Sequence, residues 1–220
     1  MSKSKLALFD DIATLFNKHG FKLFMVGGTS RDFLLKREIN DFDFATDATP
    51  NDMKTFLPDA NYRFSEFGTV SIKVAGIILE ITTLRVEGDY VDYRHPASIT
   101  FVKEPRLDYV RRDFTVNAIY IDEHYNILDF STGLVDLHDN VIKMIGDPTT
   151  RFQEDPLRII RALRFKVKLG FGFDPILEEA IYKNAYLVAN LNPQKITAEK
   201  AKVMKENRDL FEKLYIKYKL

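Results

Sequence analysis

Apolar and polar positions fall into three textures along the chain. In the first twenty residues Leu8, Ile12, Leu15 and Phe16 share one side of a helix, and Gly20 stops it. The hydrophobic run Phe21-Lys22-Leu23-Phe24-Met25-Val26, interrupted only by Lys22, predicts a buried strand. From there to about residue 146 the β-favouring runs dominate, at Thr69 to Val74, Ile77 to Leu84, Ser98 to Val102, Val116 to Ile121 and Ile127 to Phe130. Val74-Ala75-Gly76-Ile77 predicts a tight hairpin turn, and short helices are expected at Ser30 to Lys36 and Pro50 to Leu57. From Asp155 onward the pattern is helical, with breaks near 170–174 and 191–193. The expectation is an α+β chain: a mixed layer of strands and helices over 1–147, then an all-α part over 148–220, divided at Asp147-Pro148.

Two short motifs give this pattern a chemistry. Gly27-Gly28-Thr29-Ser30-Arg31-Asp32 follows the first strand, and its glycines let the backbone turn tightly and approach a ligand without a Cβ in the way. Backbone N–H groups there could hold a triphosphate if the helix that follows turns its amino end to the anion. Soon after, Asp41-Phe42-Asp43-Phe44 places two carboxylates on one face of a strand and two phenylalanines on the other. Two hard oxygen ligands suit Mg²⁺, which completes its shell with water and substrate phosphate. An Asp-X-Asp pair alone is more often a solvated turn or edge. Beside a glycine turn it points to nucleotidyl transfer.

Composition changes the picture little. Cysteine is absent from the 220 residues, which removes disulfides and thiolate metal sites and fits a reducing cytoplasm. The opening residues are too polar for a signal peptide or a membrane span. Charge is more informative, because the net value of zero hides a gradient. Residues 1–150 carry 17 basic against 23 acidic side chains, and residues 191–220 carry 8 against 4. That split suits a polyanion bound toward the carboxyl-terminal part, or else an ordinary lysine-rich helix surface.

Three later segments hold further candidates. In Arg111-Arg112-Asp113-Phe114-Thr115-Val116-Asn117-Ala118, Arg112 could contact phosphate while Asp113 and Asn117 bond a ribose hydroxyl; otherwise Asp113 is a local cap and the arginines are solvated. The segment Arg151 to Phe165 predicts a helix with Asp155 at its N-cap and Pro156 in its first position. Ile159, Ile160, Leu163 and Val167 form one stripe of it, and Arg158, Arg161 and Arg164 form another, suited to bidentate recognition or to solvent. Glu80 is a lone acid in an apolar strand, either a third carboxylate near the metal or the outward residue of an edge. Glu87 to Pro96 reads as a loop, and none of the four histidines, His95 included, has a partner spaced for metal binding.

Taken in order, the glycine turn with Arg31-Asp32, the Asp41/Asp43 pair, RRDFTVNA at 111–118 and EDPLRIIRALRF at 154–165 resemble the class II CCA-adding tRNA nucleotidyltransferases and bacterial poly(A) polymerases. The resemblance runs from about residue 20 to 175. It implies a polymerase-β-like head with a mixed sheet of five or more strands, a helical neck, and template-independent addition of nucleotides to an RNA 3′ end. It implies that Asp41 and Asp43 hold Mg²⁺; Glu80 is counted as a third catalytic acid on its place in the strand, not on the resemblance. Gly27, Gly28, Ser30 and Arg31 would hold the triphosphate, and Arg112, Asp113 and Asn117 would meet phosphate and ribose. Asp155 and Arg158 would read the base, with Glu154 orienting the arginine and Arg161 and Arg164 assisting. A carboxylate accepts from an exocyclic amino group and a guanidinium donates to the adjacent ring nitrogen, so cytosine and adenine fit. Uracil and guanine would leave buried groups unpaired, at about 1–3 kcal/mol each.

Phe67-Gly68-Thr69-Val70 is similar to CCA-adding members of this family, and the retained Glu87 to Pro96 loop argues against a CC-only enzyme. The expectation is therefore CCA addition to the tRNA 3′ end from CTP and ATP, in the cytoplasm and away from membranes. An A-adding enzyme or poly(A) polymerase is the alternative within the family, and a non-catalytic nucleotide- or RNA-binding module is the alternative outside it. Two departures stand out. The family's later neck motif survives only as Glu199-Lys200, with Met204 in place of a glutamate. The chain ends at Leu220 where the family continues through body and tail domains, so it is expected to be a minimal form gripping RNA with basic helices, a homodimer, or a truncation.

Overall fold

A computed structural model describes residues 5–88, 90–92 and 95–220. The chain forms two compact units: Met1–Glu87, Ser98–Arg112 and Val116–Gly133 make the first, and Gly88–Ala97, Asp113–Thr115 and Leu134–Leu220 the second.

The first unit opens with α1 (Lys5–Lys18), which buries Leu8, Phe9, Ile12, Ala13 and Phe16. Its covered stripe is wider than the predicted one, and Gly20 ends it with a left-handed φ of 82°. There follow β1 (Leu23–Met25), α2 (Gly27–Leu34), β2 (Phe42–Thr46), α3 (Pro50–Phe56), β3 (Asn61–Phe64), β4 (Thr69–Val74), β5 (Ile77–Thr83) and β6 (Arg85–Glu87). The segment expected as a loop carries short antiparallel pairings between β7 (Tyr90–Asp92) and β8 (His95–Pro96), which group with the second unit. Asp89, Tyr93, Arg94 and the His95 side chain, to which the loop and non-ligand readings also apply, lie outside the described residues. The first unit continues with β9 (Ile99–Phe101), α4 (Pro105–Asp108), β10 (Ile119–Ile121) and β11 (Ile127–Asp129).

Seven of these strands form one sheet, in the order β11-β10-β1-β2-β5-β4-β3. It is mixed, because β2 and β5 run parallel while β1 is antiparallel to both β2 and β10. The apolar run of β1 is explained by burial on two faces. Leu23 and Met25 join one core cluster with Phe42, Phe44 and α1, whereas Phe24 and Val26 join another with Ala45, Leu84 and Tyr120. The predicted hairpin closes β4 on β5 through Ala75 and Gly76, both at positive φ. The run Val116 to Ile121 is strand only in its second half. Residues Thr115–Asn117 make a 3₁₀ turn instead, and Thr115 is drawn aside by Lys143 and Asp136, where its N–H and hydroxyl find the partners that a sheet ladder would otherwise supply.

The second unit is mainly helical, with α5 (Gly133–His138) leading into it, then β12 (Val141–Ile142), α6 (Pro148–Glu154), α7 (Leu157–Leu169), β13 (Gly172–Phe173), α8 (Pro175–Asn184), α9 (Pro193–Ala201) and α10 (Arg208–Lys217). A two-residue parallel pairing of β12 with β13 interrupts the helices. Asp147, Asp174 and Asn192 each precede a proline and each accepts from backbone N–H groups of the helix it starts. The helix expected over Arg151 to Phe165 is two helices, α6 and α7, and the second starts just after Asp155. The residue before a proline is pushed out of helical backbone, and Asp155 is extended at φ −148° between α6 and α7. Among the described residues no helix is long and apolar enough to cross a membrane.

Candidate active site

In the first unit the candidate metal acids meet the glycine turn. Asp41 lies exposed one residue before β2, and Asp43 sits within it, on the face opposite the buried Phe42 and Phe44. The helix after the turn starts at Gly27, earlier than the predicted Ser30, and the main-chain N–H of Gly28 donates to Oδ2 of Asp43 at 3.3 Å. The reason for glycine is direct. Gly27 has φ of +65°, and a Cβ there would stand 2.9 Å from Asp43 Oδ2. Burial pushes the Asp43 carboxyl above its usual range; the Gly28 bond opposes this, the Asp41 charge adds to it, and Arg112 and Arg31 pull it back. Two like charges, one of them desolvated, form a site that a divalent cation would relieve.

Glu80 stands opposite Asp43 in the parallel register of β2 with β5, on the same sheet face and exposed. Among the described residues no three His, Cys, Asp or Glu side chains close into a metal cluster. The set fits an ion that takes two protein carboxylates and fills its shell elsewhere, as Mg²⁺ does.

The remaining first-unit candidates are held in place by neighbours. Arg31 is buried, with Nε 2.9 Å from Asp32 Oδ1 and Nη1 2.6 Å from Asn117 Oδ1, so two residues distant in sequence are brought together. Ser30 is buried and turns its hydroxyl to the Gly27 carbonyl at 3.4 Å. Arg112 is not solvated. Its guanidinium donates to Asp108 Oδ2 at 3.0 Å and to the Tyr120 hydroxyl at 2.8 Å, and that hydroxyl donates to Asp108 at 2.6 Å. Asp108, fully buried, also receives Arg111 Nε at 2.7 Å and the Arg85 N–H at 2.9 Å. Burial would raise its pKa, but Arg112 and Arg111 outweigh that and hold it well below the carboxylate range. Sequence reasoning missed Asp108, Tyr120 and Thr29. For Asp108 a signal existed, since it precedes Arg111 and Arg112 at the three- and four-residue spacing of a helical turn.

In the second unit the arginines of α7 are engaged rather than solvated. Arg158 and Arg164 are buried, and Arg158 Nη1 donates to Glu154 Oε2 at 2.7 Å and to the Arg151 carbonyl at 2.8 Å. Asp155 accepts from the Leu157 N–H at 3.0 Å, capping α7 from just outside it. Arg161 donates through Nε and Nη2 to Asp113 Oδ2 at 2.9 and 2.5 Å, while Phe114 N–H donates to the other Asp113 oxygen. Asp113 therefore makes a local main-chain bond and also pairs with Arg161, a partner that neither reading of the sequence offered. Glu199 of α9 is buried and takes Arg164 at 2.8 Å and Lys202 at 2.8 Å, with Arg161 at 3.6 Å. Lys200 instead lies over the Tyr215 ring, 3.5 Å from its centre. Met204 is exposed.

The family model described as Poly A polymerase head domain matches residues 23–143, more than half of the chain and the whole of the sheet. The chain belongs to that family. Among head-domain relatives, the CCA-adding enzyme of Geobacillus stearothermophilus is 42% identical over 187 residues, 85% of this chain and 46% of its own length. That of Staphylococcus haemolyticus is 38% identical over 201 residues, 90% of this chain and 50% of its own. The solved CCA-adding enzyme of Bacillus stearothermophilus in complex with CTP matches at a TM-score of 0.81 and 36% identity, covering 90% of this chain and 48% of that one. A tRNA nucleotidyltransferase complexed with a primer tRNA and an incoming ATP analog matches at 0.74 and 30%, covering 96% and 60%. This chain thus spans about half the length of the curated relatives it matches.

Proposed function

We propose that the chain adds CCA to the 3′ end of tRNA from CTP and ATP, acting in the cytoplasm. The observation that carries the proposal is the pair Asp41 and Asp43 held against a glycine turn, in a chain about 40% identical to CCA-adding enzymes. Asp41 and Asp43 would hold Mg²⁺, which when bound neutralises triphosphate charge beside the attacking hydroxyl. Glu80 would flank the pair from the neighbouring strand. The RNA 3′-hydroxyl oxygen bonds to the α-phosphorus of CTP or ATP, the bond to the pyrophosphate oxygen breaks, and the hydroxyl proton leaves to solvent as pyrophosphate departs.

Arg31 and Arg112 keep their charges aimed by fixed partners, Asp32 and Asn117 for one and Asp108 and Tyr120 for the other. Fixed guanidinium groups suit a triphosphate because little side-chain freedom remains to be lost on binding. The Gly27-Gly28 turn and Ser30 would border the triphosphate, and Asp113 and Asn117 the ribose. In the helical part, taken to start at Asp147-Pro148, Asp155 and Arg158 would read the amino group and ring nitrogen shared by cytosine and adenine. The Glu154 bond fixes the arginine's aim, and Asp113 and Glu199 do the same for Arg161 and Arg164.

Incubating the chain with tRNA lacking CCA and mixed CTP and ATP, then sequencing the 3′ ends, tests this reading. CCA ends are expected, and Asp41→Ala should abolish incorporation while tRNA binding persists. Ends carrying adenosine alone would identify an A-adding enzyme, and binding without turnover a non-catalytic module. Retained incorporation in the variant would sink the metal assignment.

A further inference from the structure

The first turn of α2 grips the metal acids through a side chain that the glycines overshadow. Thr29 is fully buried, and its hydroxyl accepts the Asp43 N–H at 2.7 Å while donating to the Asp41 carbonyl at 3.0 Å. From the same turn, Val26 N–H donates to the Asp43 carbonyl at 3.2 Å and Gly28 N–H to its carboxylate at 3.3 Å. One helical turn therefore fixes the main chain of both acids and one of their carboxylates. Only a hydroxyl can accept and donate at one point in so small a volume. Valine has the same shape and can do neither.

We propose that Thr29 is a positioning residue for the metal site: its hydroxyl sets the spacing and aim of Asp41 and Asp43. The proposal rests on reading those two acids as the Mg²⁺ ligands. A group that orients a ligand's backbone acts on affinity for the ion, and loss of such a partner typically weakens metal binding about 10- to 100-fold. A group that merely ties α2 to β2 would act on stability alone.

The test is Mn²⁺ binding followed by electron paramagnetic resonance on the 220-residue chain, with the Mg²⁺ concentration for half-maximal incorporation as a second readout. Thr29→Val should weaken Mn²⁺ binding about 10-fold and raise the Mg²⁺ requirement, whereas Thr29→Ser, which keeps the hydroxyl, should stay close to wild type. If Thr29→Val does not fold, Thr29→Ala is compared with Thr29→Ser in the same way. A valine or alanine variant that melts earlier yet binds Mn²⁺ like wild type overturns the proposal and leaves the metal reading standing. Unchanged Mn²⁺ binding in Asp43→Ala overturns both.

Discussion

At Asp113 one largely covered carboxylate shows how neighbours reverse the effect of desolvation. Desolvation favours the neutral acid, but the charge and two bonds of Arg161, the Phe114 N–H and the Arg158 charge hold its pKa at about 2. The folded value lies below the unfolded one of about 3.9, so the stability it brings is complete above that value and is lost as pH falls toward 2. The contribution is about 2–3 kcal/mol. Asp113→Asn should lower the urea midpoint at pH 7, and its deficit against wild type should shrink between pH 4 and pH 2. A deficit constant across that window would show that Asp113 acts by shape and not by charge.

At the scale of elements, α2 is placed by what its first turn must avoid. Gly27 combines a positive φ with a 2.9 Å approach to Asp43, so Gly27→Ala meets both a left-handed backbone penalty of about 1–2 kcal/mol and a displaced carboxylate. The variant is expected to melt modestly earlier but to lose nucleotide incorporation almost completely. Equal, small losses in both measurements would mean the turn is a scaffold and nothing more. Helix starts were readable at this scale because an Asx-Pro pair caps and begins a helix locally, as at Asp147, Asp174 and Asn192. At Asp155 the same dipeptide again marks a helix start, that of α7, but α6 ends immediately before it, a break that local signals for a helix start do not report.

For the whole molecule the charge gradient bears on the proposed binding of tRNA. Lys205, Lys213 and Lys219 are exposed in the basic carboxyl-terminal stretch. Reversing them to Glu should weaken tRNA binding and flatten its salt dependence, by about 0.7–0.9 in log–log slope for each phosphate no longer neutralised. An unchanged slope would place the RNA-binding charges elsewhere. The sequence by itself determined what depends on neighbours in the chain: the strand and helix textures, the hairpin at Ala75-Gly76, the proline-led caps, and the ordered motifs that mark the family. Tertiary structure alone decided which polar groups meet. Asn117 reaches Arg31, Asp113 reaches Arg161, Glu199 takes Arg164, and Thr29 spans Asp41 and Asp43. Hydrogen bonds act over about 3 Å, and only a folded chain brings residues tens of positions apart within that reach.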